Sequence, residues 1–172
     1  MGIDVTIDEL EQRAALPVLP GERPDAARHR LVVDGLVARP LVLTAADLAA
    51  MPQAEVTDDF VCREGWCVPG LHWEGVALTT VLEAAGCAPG AGWIQVSAGT
   101  FGAPLTRWEA ERALLALRLG GEPLAVEHGA PVRLILPDAD CYTSIKWLDH
   151  IEARAEAGPN TARRTALKRI WG

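Results

Sequence analysis

Positive charge is scarce in this chain: sixteen lysines and arginines stand against twenty-three aspartates and glutamates, a net charge of −7. That balance argues against nucleic acid or an anionic membrane as the main partner. No apolar run approaches the ~20 residues that a bilayer crossing requires. The opening MGIDVTIDEL lacks a basic segment followed by an apolar one, so no export signal is expected and a cytoplasmic location is the expectation. Cysteines number only four, at 62, 67, 87 and 141, with no CxxC pair among them. Free thiols in a reducing compartment are therefore the default. Neither GxGxxG nor GxxxxGK[ST] occurs, so the glycine-rich phosphate cradles of nucleotide-binding folds are missing. Repeats at solenoid periods are absent too.

What is present suits one domain. A chain of 172 residues buries roughly 70 % of its unfolded surface. Residues 1–28 carry Pro17, Pro20, Gly21 and Pro24 among charges and read as an extended lead-in. HRLVVDGLV (29–37) reads as a strand broken at Asp34-Gly35, a strong hairpin dipeptide. RPLVLTAADLAAMP follows as a short strand, Thr44 as a helix N-cap, and a short helix ending before Pro52. AEVTDDFVC predicts a strand running into Cys62, and HWEGVALTTVLEAAG predicts an amphipathic helix with Gly86 as its C-cap. GWIQVSAG predicts a strand. TRWEAERALLALRLGG predicts one long helix, opened by a Thr106/Glu109 capping box and closed at Gly120-Gly121. APVRLILP predicts a buried strand, and CYTSIKWLDHIEARA a loop entering another. Strands outnumber helices without strict β-α-β alternation, so the expected class is α+β with a mixed sheet.

Two stretches carry chemistry. In DDFVCREGWCVPG (58–70), Cys62 ends a strand and opens a short turn, with Cys67 five residues on. Buried filler, half of a disulfide, a nucleophile and a soft-metal ligand all remain open roles for Cys62. Zinc is disfavoured because Cys62, Cys67 and His72 are spaced five apart, wider than the usual two to four. The second stretch, EHGAPVRLILPDADCYTSIKWLDHI (127–151), sets Arg133 and Lys146 on either side of the most apolar strand. Charges there are paired internally or bound to an anion. Pairing with Glu127 or Asp138, and with Asp149, is one reading; a phosphate site aided by backbone amides of Gly129 and Ser144 is the other. The last 22 residues are basic by three and read as a solvated helix face.

Taken in order, VDGLVARPLVLTAADL, FVCREGW, WEGVALTTVLEAAG, HGAPVRLILP and YTSIKWLDHI resemble the molybdopterin-dependent oxidoreductase domain. This is the sulfite oxidase-type fold, shared with the catalytic subunits of periplasmic methionine sulfoxide reductases. The resemblance covers residues 29–152, leaving 153–172 as a basic C-terminal tail. It implies a molybdenum-molybdopterin cofactor, with Cys62 as the thiolate ligand to the metal and the residue on which catalysis centres. It further implies that His128 hydrogen-bonds the pterin and that Arg133 grips the cofactor's phosphate. Ser144, Ile145 and Lys146 would complete that grip. Oxygen-atom transfer on a small S- or N-oxide or a sulfite-like substrate is the implied reaction, with a separate haem or flavin protein as electron-transfer partner. A cofactor supplying its own sulfurs explains how one cysteine can serve without neighbouring ligands.

The chain also departs from the family. REGW follows Cys62 where sulfite oxidases carry an AGNR-type turn, so Arg63 stands one residue after the cysteine. The aromatic, Gly-Asp-Pro-rich rim that often follows KWLDHI is replaced by EARAEAGPNTARRTALKRIWG. These departures motivate a rival expectation, a redox-inactive cofactor-binding or interaction module of the same descent. Cys67 is expected to be filler.

Overall fold

The computed structural model describes residues 24–61 and 67–171. Its elements run β1 (Leu31–Gly35), β2 (Leu41–Leu43), helix α1 (Ala45–Ala50), β3 (Ala54–Val61), β4 (Cys67–Ala77) and α2 (Leu78–Ala85). Then come β5 (Trp93–Ala98), β6 (Phe101–Thr106), α3 (Arg107–Arg112), β7 (Leu114–Leu119) and β8 (Glu122–Pro123). A 3-10 turn (Val126–His128), β9 (Arg133–Ile135), a second 3-10 turn (Cys141–Thr143), β10 (His150–Arg154) and α4 (Thr161–Trp171) complete the chain.

Two sheets form. The first has the order β2-β1-β10-β5-β6, with β1 and β10 parallel and the other neighbours antiparallel. The second runs β3-β4-β7-β8, with β9 also paired to β7. Mixed pairing with few short helices is the α+β class expected from the sequence.

Local chemistry explains the short helices. Thr44 Oγ1 accepts from the Asp47 amide at 3.1 Å while Asp47 accepts from the Thr44 amide at 2.8 Å, a capping box that starts α1. Thr106 and Glu109 repeat the arrangement at α3. At the chain's far end, α4 buries Ala162 and carries Lys168 and Arg169 in its last turn.

The long helix expected over 106–121 is corrected: α3 stops at Arg112, and Leu114–Leu119 is a strand. Leu114 and Ala116 belong to one hydrophobic core, under β3 and β4, whereas Leu115 belongs to the other, beneath the first sheet. A strand buried on both faces reads as a continuous apolar run, which periodicity alone does not separate from a buried helix. The helix expected from His72 also begins later. Residues 72–77 extend β4, and α2 starts at Leu78, because Trp73 and Gly75 pair with Leu119 and Ala116 of β7.

β4 crosses two irregularities. Between Asp58 and Phe60 of β3 the register shifts, leaving an extra residue on β4 around Pro69-Gly70, where a residue without an N–H costs the ladder nothing. The second shift, between Glu74 and Gly75, leaves the extra residue on β7.

Candidate functional site

The first 3-10 turn is the anchor. Four successive carbonyls, residues 126 to 129, each accept a hydrogen bond, three from residues 146 and 147 and one from Arg133. Val126 O accepts from the Trp147 indole at 2.8 Å, and Glu127 O from the Lys146 ammonium at 2.5 Å. His128 O accepts from the Arg133 guanidinium at 3.0 Å, and Gly129 O from the Trp147 amide at 3.1 Å. Lys146 and Arg133 are thereby brought onto adjacent carbonyls. Trp147 holds a left-handed backbone, φ 56°, to make both of its contacts. A non-glycine residue in that region is strained unless its surroundings over-determine it.

Gly129 is where these pieces meet. A Cβ there would lie 3.1 Å from both the Arg133 and the Lys146 side chains, and the residue itself sits at φ 112°. Any side chain would press on the stems of both residues and on the Lys146 backbone.

Arg133 is 2 % exposed. Its guanidinium lies over the rings of Phe60 and Trp73, 5.0 and 5.2 Å from their centroids. Aromatic faces attract a cation, and most strongly where water is excluded. Phe60 reaches this place because it points inward at the irregularity of β3, one residue before Val61 and two before Cys62. Of the carboxylates considered as partners from sequence, Asp138 engages Arg112 at 2.9 Å and Asp149 accepts from the Gly99 amide at 3.0 Å.

The other sequence-derived residues fall as follows. His128 ends the 3-10 turn and is half-buried; Ser144 and Ile145 are buried. The Ser144 amide donates to Cys141 O at 3.1 Å, the Ile145 amide to Thr143 O at 2.9 Å, and the Gly129 amide to Val126 O at 3.1 Å. Their N–H groups are thus spent on the turns themselves, and the convergent positive charge comes from Arg133 and Lys146. Cys62 lies outside the described residues. Cys67 is exposed at the start of β4, opposite Val61, so packing does not account for it.

An open cleft of about 1090 Å³ adjoins this region. It is bounded by Val61, next to Cys62 in sequence, and by Tyr142 and Thr143, next to Ser144. Asp58 and Asp59 of β3, Trp108, Glu109 and Arg112 of α3, and Pro137–Asp140 are among its other walls. Arg112 stacks on Trp108, 4.4 Å from the ring centroid, and Asp140 accepts from the Tyr142 hydroxyl at 2.8 Å. Neither Trp108 nor Trp147 stood out in the sequence; the left-handed tryptophan after Lys146 leaves no pattern, and Trp108 reads as one residue of a short helix.

Burial pushes the Asp58 carboxyl up, the Asp138 amide pulls it back, and the Asp138 charge raises it again. A carboxyl raised in the folded state binds its proton more tightly there than in the unfolded chain. Its contribution is therefore fully present below the usual carboxylate range and is lost as pH rises through the raised value. Asp58→Asn is expected to raise the melting temperature at pH 7, with the gain vanishing as the pH falls below that range. A gain of equal size at both pH values would contradict this assignment.

A buried guanidinium and an ammonium gathered on one turn can hold a dianion such as a phosphate monoester. The donor set fits the phosphate end of a pterin cofactor, and the missing Cβ of Gly129 leaves room for the stems of Arg133 and Lys146 to pack against the turn.

Comparison with known proteins agrees with this chemistry. Residues 18–162 match the family described as oxidoreductase molybdopterin binding domain. YuiH, an uncharacterized oxidoreductase of Bacillus subtilis (strain 168), is 36 % identical over 152 residues, covering 84 % of this chain and 77 % of YuiH. Sulfite oxidase of Arabidopsis thaliana is 26 % identical over 166 residues, covering 74 % of this chain and 42 % of the plant enzyme. Among solved structures, the sulfane dehydrogenase SoxCD of Paracoccus pantotrophus superposes with a TM-score of 0.73 at 25 % identity, over 79 % of this chain and 40 % of that one. The chain thus spans most of YuiH but under half of the plant enzyme and of the solved chain.

Proposed function

Because the chain belongs to the oxidoreductase molybdopterin binding domain family, we propose that it holds a molybdenum-molybdopterin cofactor and performs oxygen-atom transfer on a small S- or N-oxide or sulfite-like substrate. The observation that carries this reading is the convergence of Arg133 and Lys146 on the adjacent carbonyls of His128 and Glu127. Two cations placed together beside a buried strand, inside a protein of net charge −7, are expected to meet a dianion.

When bound, the cofactor supplies the two-electron redox centre and the exchangeable oxygen. The protein's part is to hold and orient it. Arg133 and Lys146 neutralise the phosphate, while Trp147 locks the segment bearing Lys146 against the 126–129 turn. His128 sits at the end of that turn, where its ring would meet the pterin, and the Ser144–Ile145 segment leading to Lys146 would complete the grip on the phosphate. Cys62, which follows directly from the strand that carries Phe60, would give its thiolate to the metal. Thiolates suit soft redox metals because the ligand must be ionised to bind. The two-electron chemistry that the cofactor would supply would call for a separate electron carrier, a haem or flavin protein.

The test is metal and pterin analysis of protein made in a host that synthesises the cofactor. Wild type is expected to carry stoichiometric molybdenum and pterin, and Cys62→Ser to lose the molybdenum while staying folded. Zinc without pterin in the wild type would overturn the reading. Full cofactor with no turnover on any sulfoxide, N-oxide or sulfite would instead make the domain a cofactor-binding module.

A further inference from the structure

The cleft beside Val61 differs from the cofactor-gripping turn in both charge and surface. Among the described residues, Asp58, Asp59, Glu109, Asp138 and Asp140 line it against one guanidinium, that of Arg112, which is already paired with Asp138 at 2.9 Å. A cleft walled by one sign of charge focuses its field and repels ligands of the same sign. The cations that suit an anion lie instead at Arg133 and Lys146, neither of which borders this cleft.

Its apolar surface is a second, independent feature. Trp108 is 64 % exposed and Val61 53 % exposed, and both face this space. Exposed large apolar side chains gathered at one cleft mark a binding surface. With Arg112 stacked on one part of its ring, Trp108 is held as a flat platform. The volume, about 1090 Å³, matches the roughly 300–1,000 Å³ of sites that enclose organic ligands and far exceeds what an inorganic oxyanion fills.

Val61, directly before Cys62 in sequence, borders the cleft. Resting on the molybdopterin reading above, we infer that this cleft is the substrate side of that site, that it selects an uncharged or cationic organic oxide, its organic group laid on Trp108, and that it rejects inorganic oxyanions through the carboxylates of Asp59 and Asp140. Sulfite-like substrates are thereby removed from the proposed set. Asp59 and Asp140 act on charge and Trp108 on the organic group, so the two properties are separable by mutation.

The experiment is a titration of the purified protein at low ionic strength, followed by tryptophan fluorescence and calorimetry, with methyl phenyl sulfoxide, sulfite and nitrate as probes. Molybdenum and pterin are measured on the same preparation. Wild type is expected to bind the sulfoxide at least about tenfold more tightly than either anion, a difference of about 1.4 kcal/mol. Asp59→Asn combined with Asp140→Asn should tighten both anions by about tenfold and leave the sulfoxide unchanged, since asparagine keeps shape and one acceptor oxygen while removing the charge. Trp108→Ala should weaken the sulfoxide alone, and circular dichroism checks that each variant is folded. Anions binding as well as the sulfoxide, an unchanged anion affinity in the double variant, or no binding of any probe would each overturn the inference. Failure of the cofactor reading shows separately, as missing molybdenum and pterin, whichever probe binds.

Discussion

Arg133→Ala is expected to abolish retention of the pterin cofactor and to destabilise the protein even before any cofactor is bound. Two effects combine. The guanidinium fills the space over Phe60 and Trp73 in the second core, and emptying it costs about 2–5 kcal/mol by analogy with other large-to-small core changes. The charge itself, brought beside Lys146 on the 126–129 turn, is the grip on a phosphate that the proposed site would lose. Arg133→Met separates the two. It keeps most of the volume and should melt close to wild type in the cofactor-free state, while still losing the pterin. Arg133→Lys keeps the charge but not the planar fork or the stacking, and an intermediate pterin content is expected. Pterin fluorescence after oxidation, metal analysis and thermal melts of cofactor-free protein read these outcomes. Full pterin content in the methionine variant would remove Arg133 from the site.

Gly75→Ala is expected to prevent folding. A Cβ on Gly75 would lie 2.0 Å from the Leu115 carbonyl oxygen and 3.0 Å from the Ala116 Cα, all of it backbone. The closeness arises where β7 carries its extra residue and bulges toward β4. No side-chain rotation relieves such a contact, so β4 and β7 must separate, and with them the wall shared by the two cores. A loss above about 4 kcal/mol belongs to this class of change and consumes much of an ordinary domain's stability. Gly90→Ala is the control, since a Cβ there meets nothing within 4 Å, and its effect should stay within about 0.5 kcal/mol. Soluble expression and urea denaturation distinguish the two; a Gly75→Ala protein with a wild-type midpoint would contradict the geometry.

Several features were readable in the residues alone. The N-cap at Thr44 and the capping box at Thr106 need only four consecutive residues, and both form. Gly86 ends α2 in the left-handed conformation, as its place after an amphipathic run suggests. Arg133 and Lys146 stood out because charges beside so apolar a strand demand a partner. The long helix expected through Leu114–Leu119 failed for a definable reason: its leucines alternate between two cores, and alternation between two apolar environments looks like no alternation at all.

The sequence by itself determined the class of fold and the family: an acidic, mostly strand-forming chain whose ordered motifs are those of the molybdopterin binding domain, with a strand-end cysteine and two cations flanking its most apolar strand. The tertiary structure decided how those residues are held and what lies next to them. Residues 126–129 gather Arg133, Lys146 and Trp147 through backbone carbonyls, and a carbonyl has no residue identity to read. Likewise Asp59, Trp108 and Asp140 come from three separate elements, and only their packing around one cleft makes a single acidic, aromatic wall. Local hydrogen bonds are written in neighbouring residues. Charge and shape at a site are written in contacts between residues that are dozens of positions apart.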